Sequence, residues 1–239
     1  MITVIGSLKG VSGKSTVTFN LAIWLAMAER SVAVIDADPQ ATLTDVLDVR
    51  REEGFVPMVD RIDSAQMQDR GNLAEHEEVL IDVGTASMDN FRLAIKIADR
   101  LIVPVPPSQA DIWSTQRFVR FVASLRGDDT PEILGFINRG DTHRAVRESD
   151  EAAAALVSLP GIRYLKARLA QRTVYRRSFR EGLAVFEQEP RGKGAAEWTS
   201  LAAILYADLL VCEFGQQCLV AVSYTHIRAH ETASFISYA

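Results

Sequence analysis

The sequence predicts an α/β fold, a mostly parallel β-sheet with helices on both faces. Three observations predict it. Short runs that are apolar almost throughout recur at 2–5, 31–36, 79–82, 100–105 and 132–138. Helix-like segments separate them at 14–28, 87–97, 109–125 and 144–157. A glycine-rich turn, 6–16, joins the first strand to the first helix. Strands without polar alternation belong to sheets buried on both faces, and helices between them supply the crossovers that parallel strands need.

The first strand is Ile2-Thr3-Val4-Ile5, and Val17 to Met27 carries the first helix. Between them runs Gly6-Ser7-Leu8-Lys9-Gly10-Val11-Ser12-Gly13-Lys14-Ser15-Thr16. Strand, glycine loop and helix form the context of a phosphate-binding loop. Its glycines let backbone N–H groups turn inward as a nest for anionic oxygens. The helix that begins near Lys14 adds the positive end of its dipole. Gly10, Val11, Ser12, Gly13 and Thr16 are therefore candidate nucleotide contacts. Lys14 is expected to reach the outer phosphates, and the Ser15 hydroxyl to ligate Mg²⁺.

The second strand, Val32-Ala33-Val34-Ile35, ends in Asp36-Ala37-Asp38-Pro39-Gln40. Alternation puts Asp36 and Asp38 on one side of an extended chain, and Pro39 turns it away. Carboxylates at the carboxyl end of a parallel strand, beside the phosphate loop, can orient magnesium waters and an attacking water. Segment 50–78 is polar and of mixed charge, and reads as surface helix and loop. The third strand, Val79-Leu80-Ile81, ends in Asp82, a residue placed to hold a magnesium-bound water. Residues 99–108 read as a fourth strand entering a proline-rich turn, and Gly135 to Arg139 as the end of a fifth. A further short strand near 161–167 and an apolar helix over 194–212 complete the pattern.

A chain of 239 residues with 48% hydrophobic content suits one globular domain with a full core. The longest apolar run is too short to span a membrane, and no leader segment precedes the first strand, so a cytoplasmic protein without a membrane partner is expected. Cys212 and Cys218 have no His or Cys partners at zinc spacing and form no disulfide framework.

Net charge is −5, yet residues 161–180 hold seven Lys and Arg and no Asp or Glu, so the rest of the chain stands at −12. Arg172, Arg176 and Arg180 are spaced to share one helix face, with Arg177 beside them. Such a stripe can neutralise DNA phosphates without reading sequence. The alternative is a solvated helix whose arginines pair with acidic neighbours.

The loop carries a further signal. A second lysine, Lys9, sits five residues before Lys14, where the ordinary pattern has no lysine. This resembles the deviant P-loop of the ParA/MinD ATPases, K-G-G-x-G-K-[ST], with Val11 in place of that pattern's second glycine. Asp36-Ala37-Asp38-Pro39-Gln40 resembles the family's switch I, and Asp82-Val83-Gly84 its Asp-Gly type of switch II. Segments 99–108, 169–175 and 182–187 resemble the ParF-like plasmid partition branch, and the resemblance runs from Met1 to about Gly215.

That resemblance implies a fold of P-loop NTPase type over 1–215 and an ATPase using ATP and Mg²⁺. It implies a homodimer closed around two nucleotides, in which Lys9 reaches the partner's phosphates and Lys14 acts in cis. Asp38 would position or activate the hydrolytic water, and Asp36 and Asp82 would serve the Mg²⁺ shell with Ser15. Asn138 would contact adenine, or else close a turn. A partition ATPase of this kind binds non-specific DNA as an ATP dimer, associates with the nucleoid, and is stimulated by a centromere-binding adaptor. A conjugative-transfer accessory ATPase and a non-hydrolysing nucleotide-dependent scaffold share these motifs. A metabolic ligase of the dethiobiotin-synthetase kind shares the fold but needs neither Lys9 nor a basic stripe.

Val11 could crowd the loop, because a β-branched residue resists φ > 0. Residues 216–239 lack periodicity and resemble translated sequencing-adapter read-through, so they are expected to be a non-native or disordered tail. His226 and His230 lack a third ligand, and the segment lacks the basic amphipathic character of a membrane-surface helix.

Overall fold

The computed structural model describes residues 1–10, 12–142 and 147–207. Val11, the first residues of the helix expected over 144–157, both cysteines and the whole 216–239 tail lie outside the described residues.

Seven strands form one sheet, all parallel: β1 (Ile2–Ile5), β2 (Val32–Asp36), β3 (Asp60–Arg61), β4 (Glu78–Asp82), β5 (Arg100–Val105), β6 (Glu132–Gly140) and β7 (Arg163–Ala170). Their order is β3-β2-β4-β1-β5-β6-β7. The chain thus leaves β1 toward one edge and later returns to fill the other. The crevice outside the carboxyl end of β1 is therefore a topological switch point, where open α/β sheets bind ligands.

Helices cover both faces. Over one lie α1 (Lys14–Met27) and α2 (Thr42–Glu52); over the other lie α4 (Met88–Ile97), α5 (Gln109–Arg126) and α6 (Glu148–Val157), while α3 (Arg70–Leu73) is a single turn in the β3–β4 connection. The chain then returns to the first face with α7 (Thr173–Arg180), α8 (Val185–Gln188) and α9 (Lys193–Leu205). Strand alternation feeds both cores. Val4, Ile35, Ile81 and Val103 pack against Phe91, Phe118 and Leu156. Ile5, Val34, Leu80 and Ile102 pack with Phe19, Leu43 and Trp198.

The polar 50–78 segment differs from its expected form. Helix α2 begins at Thr42, and the segment adds a two-residue strand, β3, at the sheet edge. Both β3 residues are charged and exposed, which blunts that edge against further pairing. Helix α2 is held at its far end by Arg50. This side chain is fully buried, forks onto both Glu187 oxygens at 2.9 Å and donates to the Gly182 carbonyl at 3.0 Å. Gly182 must be glycine, because its φ is +69° and a Cβ there would lie 2.7 Å from the Arg50 nitrogen.

Candidate functional site

The phosphate loop leaves β1 at the switch point and enters α1 through Gly13, whose φ of 87° is left-handed. No side chain caps α1 and no acidic residue sits in its first turn. Its first N–H groups are therefore presented to an anion with no carboxylate competing for them. The Ser7 and Ser12 hydroxyls, 2.8 Å apart, brace the loop from inside.

Lys14 is 5% exposed, and its ammonium donates to the Lys9 carbonyl at 3.1 Å. Burial lowers its pKa, while Asp82 and Asp38 hold its charge. Asp82 is buried at the end of β4, and neither of its oxygens has a hydrogen-bond partner among the described residues. Burial pushes its carboxyl up to about 7 and Asp36 and Asp38 push the same way, while the nearby Ser15 hydroxyl and Lys14 favour the anion. A buried carboxylate with two unsatisfied oxygens beside a phosphate loop is what a magnesium ion and its waters would satisfy. The donor set Ser15, Asp36 and Asp82 therefore fits Mg²⁺, which takes few protein carboxylates and completes its shell with phosphates and water.

Asp36 has a second duty that its motif does not reveal. One of its oxygens accepts from the Thr44 backbone N–H at 2.8 Å and from the Thr44 hydroxyl at 3.0 Å. It thereby satisfies the first turn of α2, whose own N-cap residue, Ala41, offers no side-chain acceptor. Asp38 accepts from the Gln40 N–H at 3.0 Å and lies against the switch II backbone. A Cβ on Gly84 would sit 1.9 Å from its Oδ2. Gly84 is thus the residue that makes room for Asp38.

Lys9 stands at the mouth of the loop with its side chain 44% exposed. Its ammonium lies 2.9 Å from Asp111 Oδ1 in the first turn of α5, and Asp111 also accepts from the Ser108 hydroxyl. With Gly10, Pro107, Arg139 and Glu148 these residues line a cleft of about 740 Å³. A smaller cavity, about 160 Å³, is lined by Gly13, Thr16, Asn138, Leu169, Tyr175 and Trp198. Asn138 faces the loop and donates to the Ser12 carbonyl at 2.7 Å, and a Cβ on Gly13 would lie 2.6 Å from its Nδ2. It props the loop and lines the cavity, so it does more than close a turn.

The basic segment is rearranged relative to the sequence reading. Arg172 is extended and precedes α7, so it does not share a helix face with Arg176 and Arg180. Its guanidinium forks onto Glu197 of α9. Arg177 pairs with Glu189 and Arg180 with Glu181, while Arg176 is exposed with no ion pair among the described residues. The alternative of arginines paired with acidic neighbours describes three of the four. Tyr175 and Phe179 pack inward, with Phe179 edge-on to Phe19 at 5.6 Å.

Among the described residues no helix is long and apolar enough to cross a membrane.

Residues 3–185 match the family described as the CobQ/CobB/MinD/ParA nucleotide binding domain. Maintenance of carboxysome distribution protein A of Halothiobacillus neapolitanus is 28% identical over 204 residues, covering 81% of this chain and 90% of that protein. The septum site-determining protein MinD of Pyrococcus horikoshii, complexed with Mg-ADP, aligns with a TM-score of 0.68 at 18% identity over 86% of this chain and 95% of its own. A plasmid-partition-type protein of Borrelia burgdorferi B31, bound to AMPPNP, aligns with a TM-score of 0.67 at 18% identity over 87% of this chain and 98% of its own. At these identities the two structures show the shared fold.

Proposed function

The chain belongs to the CobQ/CobB/MinD/ParA nucleotide-binding family, and from that premise we propose that it hydrolyses ATP to drive the positioning of a cargo, as a dimer closed around two nucleotides. One observation carries the reading: a single loop holds two lysines with opposite environments. Lys14 is buried against Asp82 and Asp38, where it can serve only its own subunit's nucleotide. Lys9 points into the open cleft, where it can serve a partner's.

In this reading the nest at residues 10–16 binds the phosphates, and Asn138 and the smaller cavity take the adenine. Ser15, Asp36 and Asp82 hold magnesium, which neutralises phosphate charge when bound. Asp38 orients a water toward the terminal phosphorus. Attack by that water breaks the bond to the bridging oxygen and yields ADP and phosphate, with Lys14 and the partner's Lys9 stabilising the charge that develops. Closure of two subunits assembles the site, so basal turnover is slow until an adaptor protein completes it.

The dimer binds DNA non-specifically through α7 and so associates with the nucleoid in the cytoplasm. Arg176, Arg177 and Arg180 are the exposed cations there. The pairs of Arg177 and Arg180 are solvent-exposed, and such pairs contribute about 0–1 kcal/mol, so phosphates can displace them. Arg172, tied to Glu197, contributes to the fold of this surface. The test is the ATPase rate and duplex DNA affinity of wild type and of Arg176→Glu with Arg177→Glu. DNA should bind only with ATP, with log affinity falling linearly in log salt, and the double variant should weaken binding and flatten that slope. Equal binding without nucleotide would refute the reading.

The cargo admits two readings. The basic α7 and the partition-type fold favour a plasmid or integrative element with a centromere-binding adaptor. The 28% identity to a protein named for carboxysome distribution favours a protein-shelled body. Proteins recovered with the tagged chain in ATP separate them: a DNA-bound adaptor supports the first, and a shell-associated adaptor the second.

A further inference from the structure

Arg139 occupies an unusual place. It is the penultimate residue of β6, between Asn138 and Gly140, where the register against β7 is irregular. Its φ is +56°, a left-handed value that a residue with a Cβ adopts only under strain. Register irregularities of this kind re-aim a side chain beside active sites. Here the side chain is aimed across the phosphate loop: its Nε lies 3.7 Å from where a Cβ on Gly13 would sit. Arg139 lines both the larger cleft and the smaller cavity, so it stands at the partition between them.

Arg139 is half-buried, and its guanidinium makes no hydrogen bond or ion pair among the described residues. The other loop cations differ. Lys9 is paired with Asp111, and Lys14 donates within the loop. Arg176 is also unpaired, but it stands exposed on an ordinary helix. A half-buried guanidinium that has no partner among the described residues and is held over a phosphate nest suits an anionic ligand. Guanidinium forks match phosphate oxygens, and such charge-assisted bonds are about twice as strong as neutral ones.

We propose that Arg139 binds the phosphate chain of the nucleotide in cis, bridging the phosphate nest and the base cavity. This rests on the nucleotide-binding reading above. Arg139 belongs to the same chain as the loop and its Nε stands 3.7 Å from the Cβ position of Gly13, so it serves the monomer as well as the dimer. A base-stacking role for the same side chain is the competing outcome.

The test uses the full chain and two probes: ADP by calorimetry, and inorganic pyrophosphate by competition against a fluorescent ADP analogue. In Arg139→Gln both affinities should fall about 10- to 100-fold, as expected for loss of a hydrogen bond to a charged group. Arg139→Lys should fall between the two, because it keeps charge and loses the fork. Arg139→Gly should weaken both probes while its nucleotide-free Tm stays level or rises, because glycine adopts φ > 0 without strain. Unchanged pyrophosphate affinity with weakened ADP would assign stacking and overturn the phosphate contact. A lowered Tm with both affinities intact would assign a packing role and overturn it equally. Loss of ADP binding in Lys14→Ala, measured alongside, separates failure of this proposal from failure of the nucleotide site itself.

Discussion

Lys9 is clasped by its own subunit: its ammonium lies 2.9 Å from Asp111 Oδ1, across 102 positions of sequence. In the proposed dimer this lysine reaches the partner's phosphates, whereas in the single chain an acid of α5 holds it. Asp111 in turn is fixed by the Ser108 hydroxyl at the start of that helix. On the proposed mechanism, closing the dimer would exchange Asp111 for a phosphate as the partner of Lys9. Asp111→Asn should therefore favour the ATP-dependent dimer by about 2- to 5-fold, the range set by a partly exposed ion pair. The dimerisation constant from light scattering checks it, and an unchanged constant would show that the clasp does not restrain Lys9.

Gly84 sets the position of Asp38. Its own backbone does not require glycine, so only the 1.9 Å approach to Asp38 Oδ2 opposes a side chain. Gly84→Ala should displace that carboxylate and slow ATP hydrolysis by at least about 10-fold, the scale of losing a positioned catalytic group. Nucleotide affinity should stay near wild type, because the phosphate nest is untouched. Parallel loss of affinity would mean that the substitution disrupts the whole site.

The Asp82 carboxyl has a pKa of about 7 in the fold against 3.8 ordinarily. Between those values the folded chain retains a proton that the unfolded chain has released. This group's contribution to stability is therefore full below about pH 4, declines as pH rises, and is lost above about 7. Urea midpoints of the nucleotide-free protein in chelator should carry this decline, and Asp82→Asn should remove it. The same slope in both proteins would contradict the assignment.

The Arg50–Glu187 pair ties α2 to the segment that follows α7. Glu187→Ala leaves a fully buried guanidinium without its carboxylate and should cost about 3–5 kcal/mol in unfolding free energy. Replacing both residues by apolar ones of similar volume should cost much less. Chemical denaturation of the two variants tests the comparison, and equal losses would count against a desolvation cause.

Much of this architecture was legible in the sequence because it is written in local patterns. Apolar runs ending in Asp36, Asp82 and Asn138 place β2, β4 and β6, and the glycine loop places the phosphate nest. What escaped depends on partners far apart in sequence. Helix α2 is polar and takes its cap from Asp36, eight residues before Thr44, so no local capping signal marks it. Strand β3 is two charged residues that pair only because β2 offers an edge. The spacing of Arg172, Arg176 and Arg180 suits a helix, but Glu197 draws Arg172 out of it. Asp111 and Arg139 sit on predicted elements and Gly84 in a recognised motif, yet their significance lies in what they face across the site.

The central claim is that two chains close around ATP with Lys9 acting in trans. The most direct measurement is the mass in solution of the Asp38→Ala chain, which should bind ATP without turning it over. Light scattering should give the mass of two chains in saturating ATP and of one chain in ADP. Adding Lys9→Ala to it should return the mass to one chain while ATP remains bound. A single-chain mass for Asp38→Ala in saturating ATP, or a dimer indifferent to Lys9→Ala, would contradict the account.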